Sequence, residues 1–301
     1  MDEFGGLLIV DKDSGSTSHD VVASCRKLLH TKKIGHAGTL DPMATGVLVL
    51  GVGRATKLLG LLTLTGKSYT ATIRLGRATS TDDAEGEVLS TVSARHLADP
   101  EIAAQVEKLT GDIAQVPATV SAIKVDGQRA YARHRAGEDV RLAARPVTVS
   151  RFEVLARRDV PESEFVDLDV AVECSSGTYV RALARDLGAA LEVGGHLTVL
   201  RRTVVGPFTL DHARTLEEVA TACDRDEPPL SLNIDAAVRT AFAHRDIDAA
   251  QADDLRNGRW LEPIGRTGVY AAIDPDGRAI ALLQEKGKRA SSVMVVRPAN
   301  L

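Results

Sequence analysis

The sequence predicts an α+β fold. Two stretches, Lys67–Leu75 and Phe165–Cys174, alternate apolar and polar residues with the two-residue period of half-buried strands. Helix-start signals recur between the strands, and short strands near the C-terminus turn at Asp274-Pro275-Asp276-Gly277. Strands and helices mixed with hairpin-type turns suit α+β better than a doubly wound parallel sheet.

Leu7–Val10 reads as a buried strand. Thr17-Ser18-His19-Asp20 is a capping box for a helix with Val21, Val22, Cys25, Leu28 and Leu29 on one face. Lys32–Asp41 breaks the periodicity and reads as a loop, and Val47–Val52 is a second apolar strand. In the strand over 67–75, Tyr69, Ala71, Ile73 and Leu75 share one face, and Thr70, Thr72 and Arg74 the other. Asp99-Pro100-Glu101 opens a helix that Gly111 closes. Val166, Leu168, Val170 and Val172 face one way in the next strand, and Thr178–Leu191 follows as a helix. Thr215-Leu216-Glu217-Glu218 is a further capping box. Arg225-Asp226-Glu227-Pro228-Pro229 reads as a boundary between a domain over 1–230 and a small one over 231–301. The small domain is expected to hold one short helix, Asp248–Asn257, and short strands.

The 301 residues are 44% hydrophobic and can bury a core. The net charge of −4 speaks against a generic basic nucleic-acid binder. The charge is segregated, however: +4 over 1–77 and +5 over 121–158, against −6 over 78–120 and −6 over 159–200. Local field, not net charge, steers a polyanion, and the two basic blocks are expected to meet on one surface. Arginine outnumbers lysine by 27 to 10, which suits bidentate phosphate contacts. Cys25, Cys174 and Cys223 form no CxxC pair, and no histidines have metal-ligand spacing, so no metal site is expected. The N-terminus lacks signal-peptide features and no apolar run could span a bilayer, so a cytoplasmic location is expected.

Three segments carry chemistry. Lys33-Ile34-Gly35-His36-Ala37-Gly38-Thr39-Leu40-Asp41-Pro42-Met43-Ala44-Thr45-Gly46 holds glycines, a histidine and an aspartate before a strand. It is neither a P-loop nor a dinucleotide fingerprint. Pro42 holds Asp41 extended, and an aspartate fixed in this way can act as nucleophile or base; a simple turn-forming Asp-Pro pair is the plainer reading. Ser175-Ser176-Gly177-Thr178-Tyr179-Val180-Arg181 leads into a helix whose N-terminus can face phosphate. Arg181 sits at the wrong end of that helix dipole for a cation and needs a carboxylate or phosphate partner. Lys124–Arg151 is the second basic block, with Arg129, Arg133 and Arg135 expected along one short helix that tracks phosphates. Tyr69 and His36 read by themselves as a core tyrosine and a loop hydrogen-bonding histidine.

Taken together, these segments resemble the bacterial TruB-type tRNA pseudouridine synthases over about the first 210 residues. The resemblance rests on Gly35–Leu48, Lys67-Ser68-Tyr69-Thr70-Ala71, Cys174–Arg181 and Leu200-Arg201-Arg202-Thr203, with weaker support from Ser121–Tyr131. It implies a central mixed, largely antiparallel sheet flanked by helices, and a small C-terminal PUA-like RNA-binding domain. It also implies isomerisation of uridine 55 in the tRNA T loop, with no cofactor and a monomeric enzyme. By resemblance Asp41 is the catalytic aspartate, Tyr69 stacks on the target uracil, and Arg181 pairs with the aspartate. His36, Gly38, Lys12, Lys67, Tyr179, Leu200, Arg129 and Arg133 are then expected to hold RNA or line the base pocket. Asp13, Ser80 and Val120 depart from the family pattern, and none of them touches the aspartate, tyrosine or arginine positions. A non-catalytic tRNA-binding or folding chaperone and an aspartate-dependent N-glycosidase are the alternatives.

Overall fold

The computed structural model describes residues 4–118, 124–125, 128–129 and 142–300. The first elements in chain order are β1 (Gly5–Lys12), α1 (Ser18–Leu28), β2 (Ile34–Ala37), β3 (Thr45–Gly53), α2 (Leu59–Thr63) and β4 (Lys67–Leu75). They are followed by β5 (Arg77–Thr79), β6 (Val88–Thr91), α3 (Asp99–Lys108), β7 (Gly111–Gln115), β8 (Lys124–Val125) and β9 (Gln128–Arg129). Next come β10 (Arg145–Asp159), β11 (Val166–Cys174), α4 (Val180–Ala190), β12 (Gly195–Val205), β13 (Phe208–Thr209) and α5 (Leu216–Asp224). The chain finishes with β14 (Leu232–Asn233), α6 (Ile234–Ala241), β15 (His244–Asp246), α7 (Ala249–Arg256), β16 (Val269–Ile273), β17 (Ala279–Lys286) and β18 (Arg289–Val295). The fold is α+β, as the mixed elements predict. Among the described residues no helix is long and apolar enough to cross a membrane.

The chain divides into two compact units. One comprises Met1–Pro42, Gly46–Thr63 and Val205–Leu301. In it β1 pairs antiparallel with β3 along its whole length, from Gly5 opposite Gly53 to Lys12 opposite Gly46. Leu7, Leu8, Ile9 and Val10 are all buried, as a continuous apolar strand requires when both faces are covered. Helix α1 starts with the expected capping box: the Thr17 side chain accepts from the Asp20 N–H, and the Asp20 carboxylate accepts from the Thr17 N–H.

Two expectations are corrected in this unit. Lys32–Asp41 is not all loop: Ile34–Ala37 pairs antiparallel with Val49–Val52 of β3. Four residues are too few to display a period, and the pairing partner lies further along the chain. The segment after 230 holds two helices rather than one, because Ile234, Ala237 and Val238 bury one face of α6. Asn233 caps this helix by accepting the Ala236 N–H.

A second sheet, β15-β16-β17-β18, lies in the same unit, with the β16–β17 hairpin turning where Asp274–Gly277 predicts. Its inner residues Ala271, Ile273, Ala279, Leu282 and Met294 join one apolar cluster with Leu7, Ile9, Val47, Val49, Leu58 and Phe208. Arg54 ties the two parts further, donating to the carbonyls of Val295 and Val296 at 2.8 Å each.

The other unit comprises Met43–Thr45 and Leu64–Val204. Its sheet runs in the order β12-β4-β11-β10-β7, antiparallel from β4 to β7. The strand faces are as the alternation predicts: Val166, Leu168, Val170 and Val172 are fully buried in β11. Helix α4 packs on β4. Gly188 allows α4 to lie against the start of β12, where a Cβ would sit 2.1 Å from the Gly195 nitrogen. Lys124 pairs with Arg129 and Val125 with Gln128, so Arg129 stands on a short strand and not on the expected helix. That pairing uses the backbone groups a helix would have needed. Arg133, Arg135 and Arg141 of the second basic block lie outside the described residues.

Candidate active site

In the first unit the candidate residues gather at the end of β1 and in the connection from β2 to β3. Lys12, the last residue of β1, is buried and donates through Nζ to the carbonyls of Asp13 (2.7 Å) and Pro42 (3.2 Å). The Gly15 N–H also donates to the Pro42 carbonyl, at 2.9 Å. On the other side of Asp41, the buried Ser18 hydroxyl accepts the Leu40 N–H (2.8 Å) and reaches the Leu40 carbonyl (3.1 Å). Both neighbours of Asp41 are therefore fixed by side chains from outside the loop, while Asp41 itself is half-buried. Gly38 has φ +91°, a conformation open to glycine and strained for other residues. His36, on β2, packs edge-on against His19 with ring centroids 5.5 Å apart.

Ser18 is a contributor that sequence reading assigned only to a helix start; nothing local signals that its hydroxyl reaches across 22 residues. Ser18→Ala leaves the buried N–H and carbonyl of Leu40 without this partner. It is expected to lower stability by about 1–3 kcal/mol, the range for unsatisfied buried polar groups. Denaturant titration checks this, and an unchanged midpoint is the contrary result.

In the second unit Lys67 and Tyr69 lie on β4, opposite Cys174 and Val172 of β11. Tyr69 is 9% exposed and shares its buried face with Ala71, Ile73 and Leu75. Burial lowers the Lys67 pKa, and the nearby Arg202 adds to the effect. Leu200 is buried on β12, the strand next to β4. Burial pushes the Cys174 thiol up to about 11, so it stays a thiol and is no nucleophile at neutral pH.

Arg181 is the second residue of α4 and is 3% exposed. Its place at the helix N-terminus calls for an acceptor, and the unit supplies one. Nη1 donates to the Thr81 carbonyl at 2.8 Å and lies 3.6 Å from Oδ2 of the buried Asp83. Asp83 is itself held, accepting from the Thr81 hydroxyl and the Glu85 N–H. Next to it burial pushes the Asp82 carboxyl up, against the pull of Arg185 and Arg181. Tyr179 caps α4, and its backbone N–H and carbonyl are both bound by the side-chain amide of Gln115. Asp83 and Gln115 were not singled out from sequence; the acidic pair Asp82-Asp83 was the only local sign of the former.

The candidates thus form two groups. Lys12, His36, Gly38 and Asp41 belong to the first unit. Lys67, Tyr69, Tyr179, Arg181 and Leu200 belong to the second. Arg129 is on β9, and Arg133 lies outside the described residues.

Comparison with known proteins gives the family. Residues 26–180 match the model of the TruB family pseudouridylate synthase N-terminal domain. Residues 181–238 match the tRNA pseudouridylate synthase B C-terminal domain, and 242–297 the C-terminal domain of tRNA pseudouridine synthase II. The tRNA pseudouridine synthase B of Nocardia farcinica is 76% identical over 301 residues, covering 100% of this chain and 96% of the relative. That of Rhodococcus jostii is 72% identical, covering 98% and 95%. A chain in the structure of an H/ACA ribonucleoprotein bound to a substrate RNA containing 2′-deoxyuridine superposes with a TM-score of 0.73 at 25% identity. That match covers 98% of this chain and 86% of the other. Fold and motifs together define a pseudouridine synthase. Within that class, the chain belongs to the TruB family of pseudouridylate synthases.

Proposed function

We propose that this enzyme isomerises uridine 55 in the T loop of tRNA to pseudouridine, with Asp41 as the reacting carboxylate. The relatives' names support the substrate. The observation that carries the role of Asp41 is its loop, pinned at Leu40 by Ser18 and at Pro42 by Lys12 and Gly15. A carboxylate that must meet one atom of a base or ribose gains rate from such fixed placement.

The reaction breaks the N1–C1′ bond, turns the uracil and forms a C5–C1′ bond; the proton on C5 leaves to solvent and N1 takes one up. Atoms and electrons balance with no redox partner. The base has to leave the stack, and an aromatic ring can hold it there; Tyr69 takes this role and Leu200 lines the pocket. Arg181 orients the aspartate. Asp41 acts by attack at C1′, by addition to C6 or by removal of the C2′ proton. Lys12 supports the RNA-facing loop through the Pro42 carbonyl, and His36, Gly38, Lys67, Tyr179, Arg129 and Arg133 contact RNA. Residues 231–301 add a small PUA-like RNA-binding portion, and the enzyme works as a cytoplasmic monomer.

The test is tritium release from tRNA or an isolated T stem-loop carrying 5-tritiated uridine, followed by nucleotide-resolution mapping of pseudouridine. Release that maps to position 55 is the expected result. No release with the wild-type protein overturns the reading, and free uracil as product marks an N-glycosidase instead. KM is expected to rise with salt, each phosphate contact adding a slope of about 0.7–0.9 to log KM against log salt. A KM that does not respond between low and moderate salt contradicts phosphate-based recognition.

A further inference from the structure

We propose that Gln115 is a positioning residue of the isomerisation, acting through the first turn of α4 on Arg181. The inference rests on the role given to Arg181 above. Helix α4 begins at Val180, and its N-cap, Tyr179, forms no side-chain capping bond. The cap is held from elsewhere, by the last residue of β7. Gln115 is 2% exposed. Its Oε1 accepts the Tyr179 N–H at 2.8 Å and its Nε2 donates to the Tyr179 carbonyl at 3.1 Å. An amide bound to both backbone groups of one residue fixes that residue in position and orientation, as a neighbouring strand does. Arg181 follows two residues later, so the clamp sets where its guanidinium stem leaves the backbone.

The rest of α4 supports the same reading. Arg181 donates to the Thr81 carbonyl, and Arg185, one turn on, donates to the carbonyl of Val116 (2.7 Å) and to Asp82 (3.2 Å). The helix is therefore bound at Tyr179 and Arg185 to two successive residues, Gln115 and Val116. These three bonds join α4 to the end of β7 and the residue after it. The clamp needs a donor and an acceptor on one side chain of this length, which glutamine provides. Methionine has neither at comparable size, and an ionised glutamate keeps only the acceptors and sets them against the Tyr179 carbonyl.

The experiment compares wild type, Gln115→Met, Gln115→Glu, Arg181→Lys and the double variant Gln115→Met/Arg181→Lys. Tritium release at saturating tRNA gives kcat, filter binding gives Kd, and circular dichroism with thermal unfolding reports the fold. The expected result is a tenfold or larger fall in kcat for both Gln115 variants, with Kd for tRNA within threefold of wild type. The double variant should be no slower than Arg181→Lys alone by more than threefold, because both changes act through the same group. A folded Gln115→Met or Gln115→Glu protein with wild-type kcat overturns the proposal. So does a fully multiplicative loss in the double variant, or a loss confined to Kd. If neither Gln115 variant folds, the residue is structural and the proposal is overturned. If Arg181→Lys itself keeps full activity, the earlier reading of Arg181 fails, and this outcome is distinct from failure at Gln115.

Discussion

Asp41→Asn is expected to abolish tritium release while leaving tRNA binding largely intact. Asparagine matches aspartate in size and remains polar, but it is a poor nucleophile and a poor base. A positioned general acid or base contributes about 10²–10⁴-fold, and an essential nucleophile can exceed that. The loss is therefore expected to be at least about 10³-fold. The loop should survive the change, since its anchors grip the residues on either side: Ser18 at Leu40, and Lys12 and Gly15 at Pro42. Single-turnover rates with excess enzyme separate chemistry from binding. An Asp41→Asn protein within tenfold of the wild-type rate removes Asp41 from the reaction. A tRNA-folding role without chemistry predicts no difference between the two proteins in any assay.

The second large effect concerns a chain ending at Leu230, where the Pro-rich stretch suggests a boundary. Such a chain is expected not to fold into a working enzyme. It loses Ile234, Val238, Ile273, Leu282, Met294 and Val296, all buried in one cluster with Leu7, Ile9, Val47 and Val49. At about 1.5–3 kcal/mol for each large apolar side chain buried, these six contribute roughly 9–18 kcal/mol. A typical domain has a net stability of about 5–15 kcal/mol. The pairing of Gly6 with Asn233 and the two bonds of Arg54 to Val295 and Val296 go as well. Expression as aggregate, or a soluble product that binds a hydrophobic dye and lacks a cooperative transition, is the expected finding. A soluble, cooperatively folded and active 1–230 protein is the contrary result.

The features legible in the sequence are those that repeat locally. Lys67–Leu75 and Val166–Cys174 show their strand period, and Thr17–Asp20 and Thr215–Glu218 show capping boxes, because each signal is complete within a few residues. Asp41, Tyr69 and Arg181 stood out through long motifs, and the oddity of a cation at a helix start was readable from Arg181 alone. Its partner Asp83 was not, lying some hundred residues earlier in the chain. Gln115 and Ser18 act through hydrogen bonds spanning 64 and 22 residues, and a glutamine or serine carries no mark of such a partner. The strand β2 was missed because its four residues make sense only beside β3. The shared core of the first unit was missed because it joins residues 7–62 to residues 205–296, a pairing that no local pattern announces.

That division of the core also fixes an order of events during synthesis. The second unit is almost continuous in sequence, from Leu64 to Val204, apart from Met43–Thr45. Domains generally fold as units while the chain emerges from the ribosome, so this one can assemble early. The strand β1 shares its core with Met294 and Val296, far later in the sequence, and completes its packing only when they arrive. A chain whose translation stalls before that point has already made every residue of the unit that carries Tyr69 and Arg181, while the core beneath β1 is still unfilled.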